Sequence, residues 1–203
     1  AGAFSGDMGL STPLAPDHWG DCTEAQAECR ALPHGVQERL GAEEVPEDLL
    51  NLVTFYSSHL AVPLRRDVDD AAVLAGKKVF YESGCASCHR PKYVTRRDVD
   101  DPALRFQLIW PYTDMLLHDM GEGLADGRGE GLADGYEWRT PPLWGIGLTA
   151  TVNAEATFLH DGRARTLLEA VLWHGGEAQA ARDRVVEMAK QDRDNLIRFL
   201  ESL

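Results

Sequence analysis

The chain has 203 residues, and its 20 Lys and Arg against 33 Asp and Glu give a formal charge of −13. This acidity argues against binding to nucleic acid or to an anionic membrane surface, because both attract basic proteins. With 44% hydrophobic and 26% charged residues, and no apolar run near the roughly 20 residues of a membrane span, the composition is that of a folded globular protein.

The N-terminal segment, residues 1–45, is rich in turn-forming residues and shows little periodicity, which predicts irregular structure. It lacks a charged stretch followed by an apolar run, so it does not have the pattern of a signal peptide. Its Gly- and Pro-rich start is a poor beginning for a domain. We therefore expect the chain to be a piece of a longer protein.

Two helices are predicted next. The first follows Pro46, which suits an initial helical turn, and stops at Pro63. Its expected apolar face consists of Leu49, Leu52, Val53 and Tyr56. The second helix covers 71–82 and leads into a cysteine motif. We place the domain boundary between them, with an irregular segment carrying one helix at 1–63 and a second domain at 64–203.

The cysteine motif Cys85-x-x-Cys88-His89 is the strongest signal in the chain. A C-x-x-C-H run is the attachment site of a c-type haem, in which the two thiols bond the porphyrin vinyl groups and the histidine binds the iron as proximal ligand. A thioredoxin-like pair is less favoured because its βαβ setting is absent. Half of a zinc site is less favoured because no second ligand pair has suitable spacing. The sequence therefore predicts one covalently bound haem c.

A Gly-rich loop after the short amphipathic segment PYTDMLLHDM contains an internal repeat. GEGLADGR at 121–128 and GEGLADGY at 129–136 match at seven of eight positions. A duplication in a solvated loop explains the repeat. The alternative is a calcium ion, since calcium prefers carboxylate oxygens and the loop offers Glu122, Asp126, Glu130 and Asp134.

Two further helices are predicted near the C-terminus, at 165–174 and 183–203. No segment alternates cleanly between apolar and polar residues, so the chain should be mainly α. Gly76 and Phe80 lie in the helix before the cysteine motif, and cytochrome c folds pack such a helix closely against an amphipathic last helix. We expect a cytochrome c-like helical domain with an irregular N-terminal extension and long loops.

Three stretches carry a resemblance to a known family: PYTDMLLHDMGEGLAD (111–126), EWRTPPLWGIG (137–147) and LHDGRARTLLEAVLWHGGEA (159–178). With the cysteine motif, they resemble the C-terminal half of the bacterial di-haem oxidoreductases. These are described as peroxidases or thiol oxidoreductases and are distant relatives of the bacterial cytochrome c peroxidases. Such proteins carry two haems, whereas this chain has one C-x-x-C-H. The resemblance therefore implies a second haem domain outside this chain.

The second axial ligand of the iron is expected to set the function. Met120, beside a Gly-rich turn 31 residues after His89, is the preferred candidate. The alternatives are His118, Tyr136 and His160. His118 could instead serve as a hydrogen-bonding group, and His160 could bond its own turn.

Several arginines and tryptophans are candidate pocket residues. Arg139 and Arg163, and also Arg165, could pair with haem propionates or form ordinary ion pairs. Trp144 is expected to wall the pocket together with the other tryptophans Trp110, Trp138 and Trp173, although each could belong to the core. For His174, at the end of a helix, a capping role is expected.

The function expected from these features is electron transfer by a haem domain of a periplasmic, peroxidase-like enzyme, with a basic redox partner. Haem c attachment takes place on the oxidising side of the bacterial membrane, so a disulfide between Cys22 and Cys29 is also expected. One alternative puts peroxide chemistry on this haem, with His118 or Glu122 as acid–base group. Another treats the chain as a haem sensor or partner-binding module.

Overall fold

The computed structural model describes residues 1–203, which form two compact units, Ala1–Ala61 and Val62–Leu203. Eight α-helices and four short strands confirm the mainly α prediction. The helices are Gly2–Gly6 (α1), Ala27–Arg30 (α2), Glu47–Ser58 (α3), Ala71–Glu82 (α4), Thr149–Val152 (α5), Leu167–Trp173 (α6), Gln179–Glu187 (α7) and Lys190–Glu201 (α8). No helix has both the length and the apolar character needed to cross a membrane.

The strands form two antiparallel pairs in the larger unit. They are Tyr93–Val94 (β1), Leu108–Ile109 (β2), Leu117–Asp119 (β3) and Glu137–Arg139 (β4). β1 pairs with β2, and β3 pairs with β4 so that His118 lies opposite Trp138. The short amphipathic segment predicted before the Gly-rich loop is therefore extended at its end. Its main chain pairs with residues that lie about 20 positions further along, a partnership that local periodicity cannot reveal.

The smaller unit contains the expected disulfide and a partly buried carboxylate. Cys22 and Cys29 are bonded to each other. The main-chain N–H groups of Ser11 and Gly35 donate to Glu44 over 2.9 and 2.6 Å. The bond from Ser11, followed by that from Gly35, holds the pKa of the Glu44 carboxyl below its ordinary value, against the opposing effect of burial. These bonds tie together parts of a unit with little helix of its own.

Helix α3 is shorter than predicted and buries a different side chain. It ends at Ser58, before Pro63, and only Leu50 is buried. The predicted apolar face is exposed: Leu49, Leu52, Val53 and Tyr56. That prediction was wrong because helical spacing identifies a shared face, whereas burial also requires another element to cover it.

The core of the larger unit is built where α4 crosses α8. Asp70 caps α4 by accepting from the main-chain N–H groups of Ala72 and Val73 over 2.9 and 3.0 Å. Gly76 faces α8, and a Cβ there would overlap the carbonyl of Asn195. The fully buried rings around this crossing are Phe80, Tyr112 and Phe199. Gly76 therefore has the close-approach role that the sequence predicted.

The C-terminal region is two helices where the sequence predicted one from Asp183 to Leu203. The break falls at Met188, the residue after α7, whose backbone is extended. The Arg193 guanidinium donates to the carbonyls of Val186 and Met188, which satisfies groups left free by the break. Apolar spacing continues across the break, which explains why the prediction missed it.

The two copies of the repeat have different environments despite their matching sequences. Leu124 is only 2% exposed, whereas the equivalent Leu132 is fully exposed. Asp126 and Asp134 each accept from the N–H two residues ahead, over 2.8 Å, so each closes its own turn. The four acidic residues are not gathered into a group that could hold a metal ion. The calcium prediction therefore gains no support.

Candidate functional site

The cysteine motif forms a short turn at the end of α4. Gly84 takes a left-handed conformation with φ of 91°, which glycine adopts without strain, and Cys85–Ser87 then form a 3₁₀ turn. Cys85 and Cys88 are unbonded and partly buried. Burial raises the pKa of both thiols, so they are protonated near neutral pH. A dithiol redox pair needs the opposite shift, which disfavours the thioredoxin-like alternative.

His89 is held by a main-chain carbonyl. Its Nδ1 lies 3.0 Å from the carbonyl oxygen of Tyr112. Because a carbonyl only accepts, Nδ1 carries the proton and Nε2 keeps its lone pair. Burial lowers the pKa of His89 to about 4, so the ring is neutral at physiological pH. A neutral imidazole fixed through one nitrogen is the state in which histidine binds a metal through the other.

The carbonyl that holds His89 is itself fixed by the core. The N–H of Thr113 donates to the Arg90 carbonyl over 3.0 Å, and its hydroxyl donates to Thr140 over 2.6 Å. The Tyr112 ring packs edge-on against Phe80 and Phe199, with centroids 5.9 and 5.8 Å apart. The orientation of His89 is thus coupled to the α4–α8 crossing.

His118 lies between two carboxylates. Its Nδ1 is 2.8 Å from Glu177 and its Nε2 is 2.9 Å from Asp114. The hydrogen bond to Glu177, together with Asp114, raises the pKa of His118 against the opposing effect of partial burial. Although burial opposes it, the bonds from Leu116 and His118 lower the pKa of Asp114. The raised pKa favours the protonated ring, and both ring nitrogens of His118 are engaged by carboxylates, which disfavours it as an iron ligand.

The raised pKa of His118 predicts how stability depends on pH. The group contributes fully below its unfolded pKa of about 6.5 and loses that contribution as the pH rises through its higher folded value. We expect the difference in unfolding free energy between the wild type and His118→Gln to be largest near pH 6 and to shrink towards about pH 9. Urea unfolding of both proteins across this range measures it.

A Glu177→Gln variant tests the same His118–Glu177 hydrogen bond from the side of its partner. It removes the main cause of the raised pKa, so the pH dependence assigned to His118 should weaken in this background. A His118→Gln difference that stays constant between about pH 6 and 9 would contradict the assignment.

The other sequence candidates for the second axial ligand have distinct surroundings. The N–H of Met120 donates to the carbonyl of Tyr136 over 3.0 Å. The Tyr136 side chain is exposed. The His160 ring stacks on Trp138 with centroids 3.4 Å apart and planes inclined by 12°. The structure thus brings Met120 and Tyr136 together through their main chains and gives His160 an aromatic partner.

The predicted pocket residues each contact different partners. Arg163 donates to Asp161 over 2.6 Å and to the carbonyl of Gly123, and its guanidinium lies 4.8 Å from the centre of the Trp173 ring. Arg139 contacts the sulfur of Met115 over 3.6 Å. Trp144 is partly buried in the turn before Gly145. Arg165 pairs with Glu169, although its own side chain is largely exposed.

Sequence reasoning missed three groups at this site, namely Asp114, Glu177 and the carbonyl of Tyr112, and it gave His174 a capping role only. The Cys88 sulfur, a carboxylate oxygen of Asp114 and a ring nitrogen of His118 lie within 4.8 Å of one another. The His174 ring lies 6.4 Å from the His89 ring, centre to centre. The spacing of Asp114 four residues before His118 was a usable signal, whereas the positions of Glu177 and His174 depend on the fold.

The residues around the cysteine motif fit a haem. Two unbonded thiols and a neutral histidine with a free nitrogen are the donor set of haem c attachment. The indole nitrogen of Trp138 is buried without a hydrogen-bond partner, which leaves one polar donor available. Several large apolar side chains in the segment 110–117 are exposed: Trp110, Met115, Leu116 and Leu117. A flat apolar group with polar edges suits such surroundings.

Comparison with known proteins agrees with this chemistry. The family model described as "Di-haem oxidoreductase, putative peroxidase" matches residues 1–203, which is the whole chain. No curated protein matches the chain.

Proposed function

This chain belongs to the di-haem oxidoreductase family, and from that premise we propose that it binds one haem c covalently and acts as an electron-transfer domain of a peroxidase-like enzyme. The thiols of Cys85 and Cys88 form the thioether bonds, and Nε2 of His89 is the proximal ligand. When bound there, the haem supplies reversible one-electron exchange at its iron.

The observation that carries this proposal is the arrangement of His89. Its Nδ1–H donates to the Tyr112 carbonyl over 3.0 Å, so Nε2 keeps its lone pair, and His89 directly follows the unbonded Cys88 in the chain. The same hydrogen bond keeps the ring from rotating and raises its basicity as a ligand. The Phe80 ring lies 6.4 Å from the His89 ring, centre to centre, and packs edge-on against Tyr112.

The remaining parts of the proposal come from the sequence and the family. The proposal includes a cytochrome c-like fold for the larger unit, which the close packing of α4 on α8 at Gly76 supports. Arg139 and Arg163 contact the haem propionates, Trp144 walls the pocket, and Met120 stays the sequence-based prediction for the second axial ligand. A second haem domain, a basic redox partner and a periplasmic location complete the proposal, the partner because the chain carries a charge of −13.

The test is covalent haem attachment on co-expression with a c-type maturation system. The wild type should retain one haem per chain after denaturation, measured as the pyridine haemochrome. The double variant Cys85→Ser/Cys88→Ser should retain none. The matched control is Cys22→Ser/Cys29→Ser, which removes the other two cysteines and should keep the haem. A wild type without covalent haem would overturn the proposal.

A further inference from the structure

The rings of His89 and His174 lie close together, tilted with respect to one another. Their centroids are 6.4 Å apart and their planes are inclined by 49°. His89 follows the turn at the end of α4, and His174 is the residue that ends α6. These elements are 85 positions apart in sequence, so the fold alone brings the two rings together.

Both imidazoles have the same tautomer, fixed in the same way. His174 Nδ1 lies 2.8 Å from the carbonyl of Ala170, as His89 Nδ1 lies 3.0 Å from that of Tyr112. A carbonyl only accepts, so each Nδ1 carries the proton and each Nε2 keeps its lone pair. The two nitrogens of an imidazole point in widely different directions. Each ring therefore directs its ligand nitrogen away from the main chain that holds it.

The separation of the two rings matches a metal ion bound between them. A metal–imidazole bond is about 2 Å long, and a ring centre lies roughly 1 Å behind its nitrogen, so two imidazoles on opposite sides of one ion have centres about 6 Å apart. The observed 6.4 Å agrees with this spacing. The tilted pair of Phe80 and His89 has the same separation, so what distinguishes His174 from Phe80 is a ring nitrogen that can bind a metal.

The main chain holds His174 at this place. Thr166 caps the start of α6 by accepting from the N–H of Glu169 over 3.0 Å. Directly after His174, Gly175 packs so tightly that a Cβ there would lie 2.9 Å from the carbonyl oxygen of Met120. A Cβ at Gly176 would lie 2.6 Å from the nitrogen of Gly121. His174 is thus anchored by a capped helix on one side and by a close backbone contact on the other.

We propose that His174, in place of Met120, is the second axial ligand of the haem that His89 binds. The proposal rests on the proposed function, since it assigns the opposite face of the same iron. The sequence position of Met120 beside a Gly-rich turn suggested a thioether ligand. In the structure this turn instead supports His174, because the backbone of Met120 packs against Gly175, the residue that follows His174.

The ferric protein tests this assignment by its optical and electron paramagnetic resonance spectra. The wild type should be low spin with the signature of two imidazoles, and it should lack the sulfur-to-iron charge-transfer band. His174→Ala should convert the iron to high spin, and added imidazole should restore the low-spin signal. Met120→Ala and His160→Ala should leave the wild-type spectrum unchanged.

Two results would overturn the assignment: a charge-transfer band that Met120→Ala removes, or a low-spin spectrum that persists in His174→Ala without added imidazole. Restoration by imidazole shows that the variant is folded, and His174→Gln provides a second variant that keeps the size of the side chain. The pyridine haemochrome is measured on each sample. Covalent haem with an unchanged His174→Ala spectrum contradicts only this assignment, whereas absent haem contradicts the proposed function.

Discussion

Replacing Gly76 with alanine should destabilise the larger unit by about 3 kcal/mol, the upper end of the usual range for overpacking in a core. The new Cβ would overlap the carbonyl of Asn195 and lie 2.8 Å from the Cβ of Phe199, so α4 and α8 would have to separate. Helix propensity alone predicts the opposite sign, since alanine in a helix interior is favoured over glycine by roughly 0.5–1 kcal/mol. The steric effect should prevail because a backbone carbonyl cannot move aside.

Urea unfolding of Gly76→Ala measures this effect, and Gly123→Ala is the matched control. A Cβ at Gly123 would have no atom within 4 Å, so its substitution should change stability by less than about 0.5 kcal/mol. Equal unfolding midpoints for Gly76→Ala and the wild type would show that the helices do not pack at the distance described.

The sequence could predict this crossing because its signals are local. A glycine and an aromatic residue one turn apart, followed directly by the cysteine motif, identify α4 and its contact face. The bounds 71–82 are confirmed because Asp70 supplies an N-cap and the charged residues before it break the apolar pattern. The prediction of haem attachment likewise rests on five adjacent residues, 85–89.

The rest of the site could not be predicted because it depends on distances set by the fold. His174 looked like a helix cap, and its bond to Ala170 does have that form. Its second feature, the approach to His89, requires α6 to end at one particular place. Glu177 became the partner of His118 only through the contact between β3 and the turn after Gly175. Spacing along the chain carries no information about such contacts.

The Phe199→Ala substitution should cost about 3–5 kcal/mol, the range for removing a buried aromatic ring. Phe199 is 0% exposed, and its ring lies 5.3 Å from Phe80 and 5.8 Å from Tyr112, centre to centre. The loss should extend to the site, because Tyr112 supplies the carbonyl that orients His89. We therefore expect a lower midpoint of urea unfolding. In the haem-loaded protein we also expect the low-spin signal in the electron paramagnetic resonance spectrum to broaden.

Phe106→Ala is the matched control, because it removes a phenyl ring that is exposed instead of buried. Phe106 is in the same unit, is 59% exposed and contacts the Arg97 guanidinium, so its removal should cost less than about 1 kcal/mol. Stability should thus fall in Phe199→Ala alone, and the resonance should broaden in the same variant. A stability loss without any change at the haem would show that the Tyr112 carbonyl holds His89 independently of the core, through the bonds of Thr113 to Arg90 and Thr140.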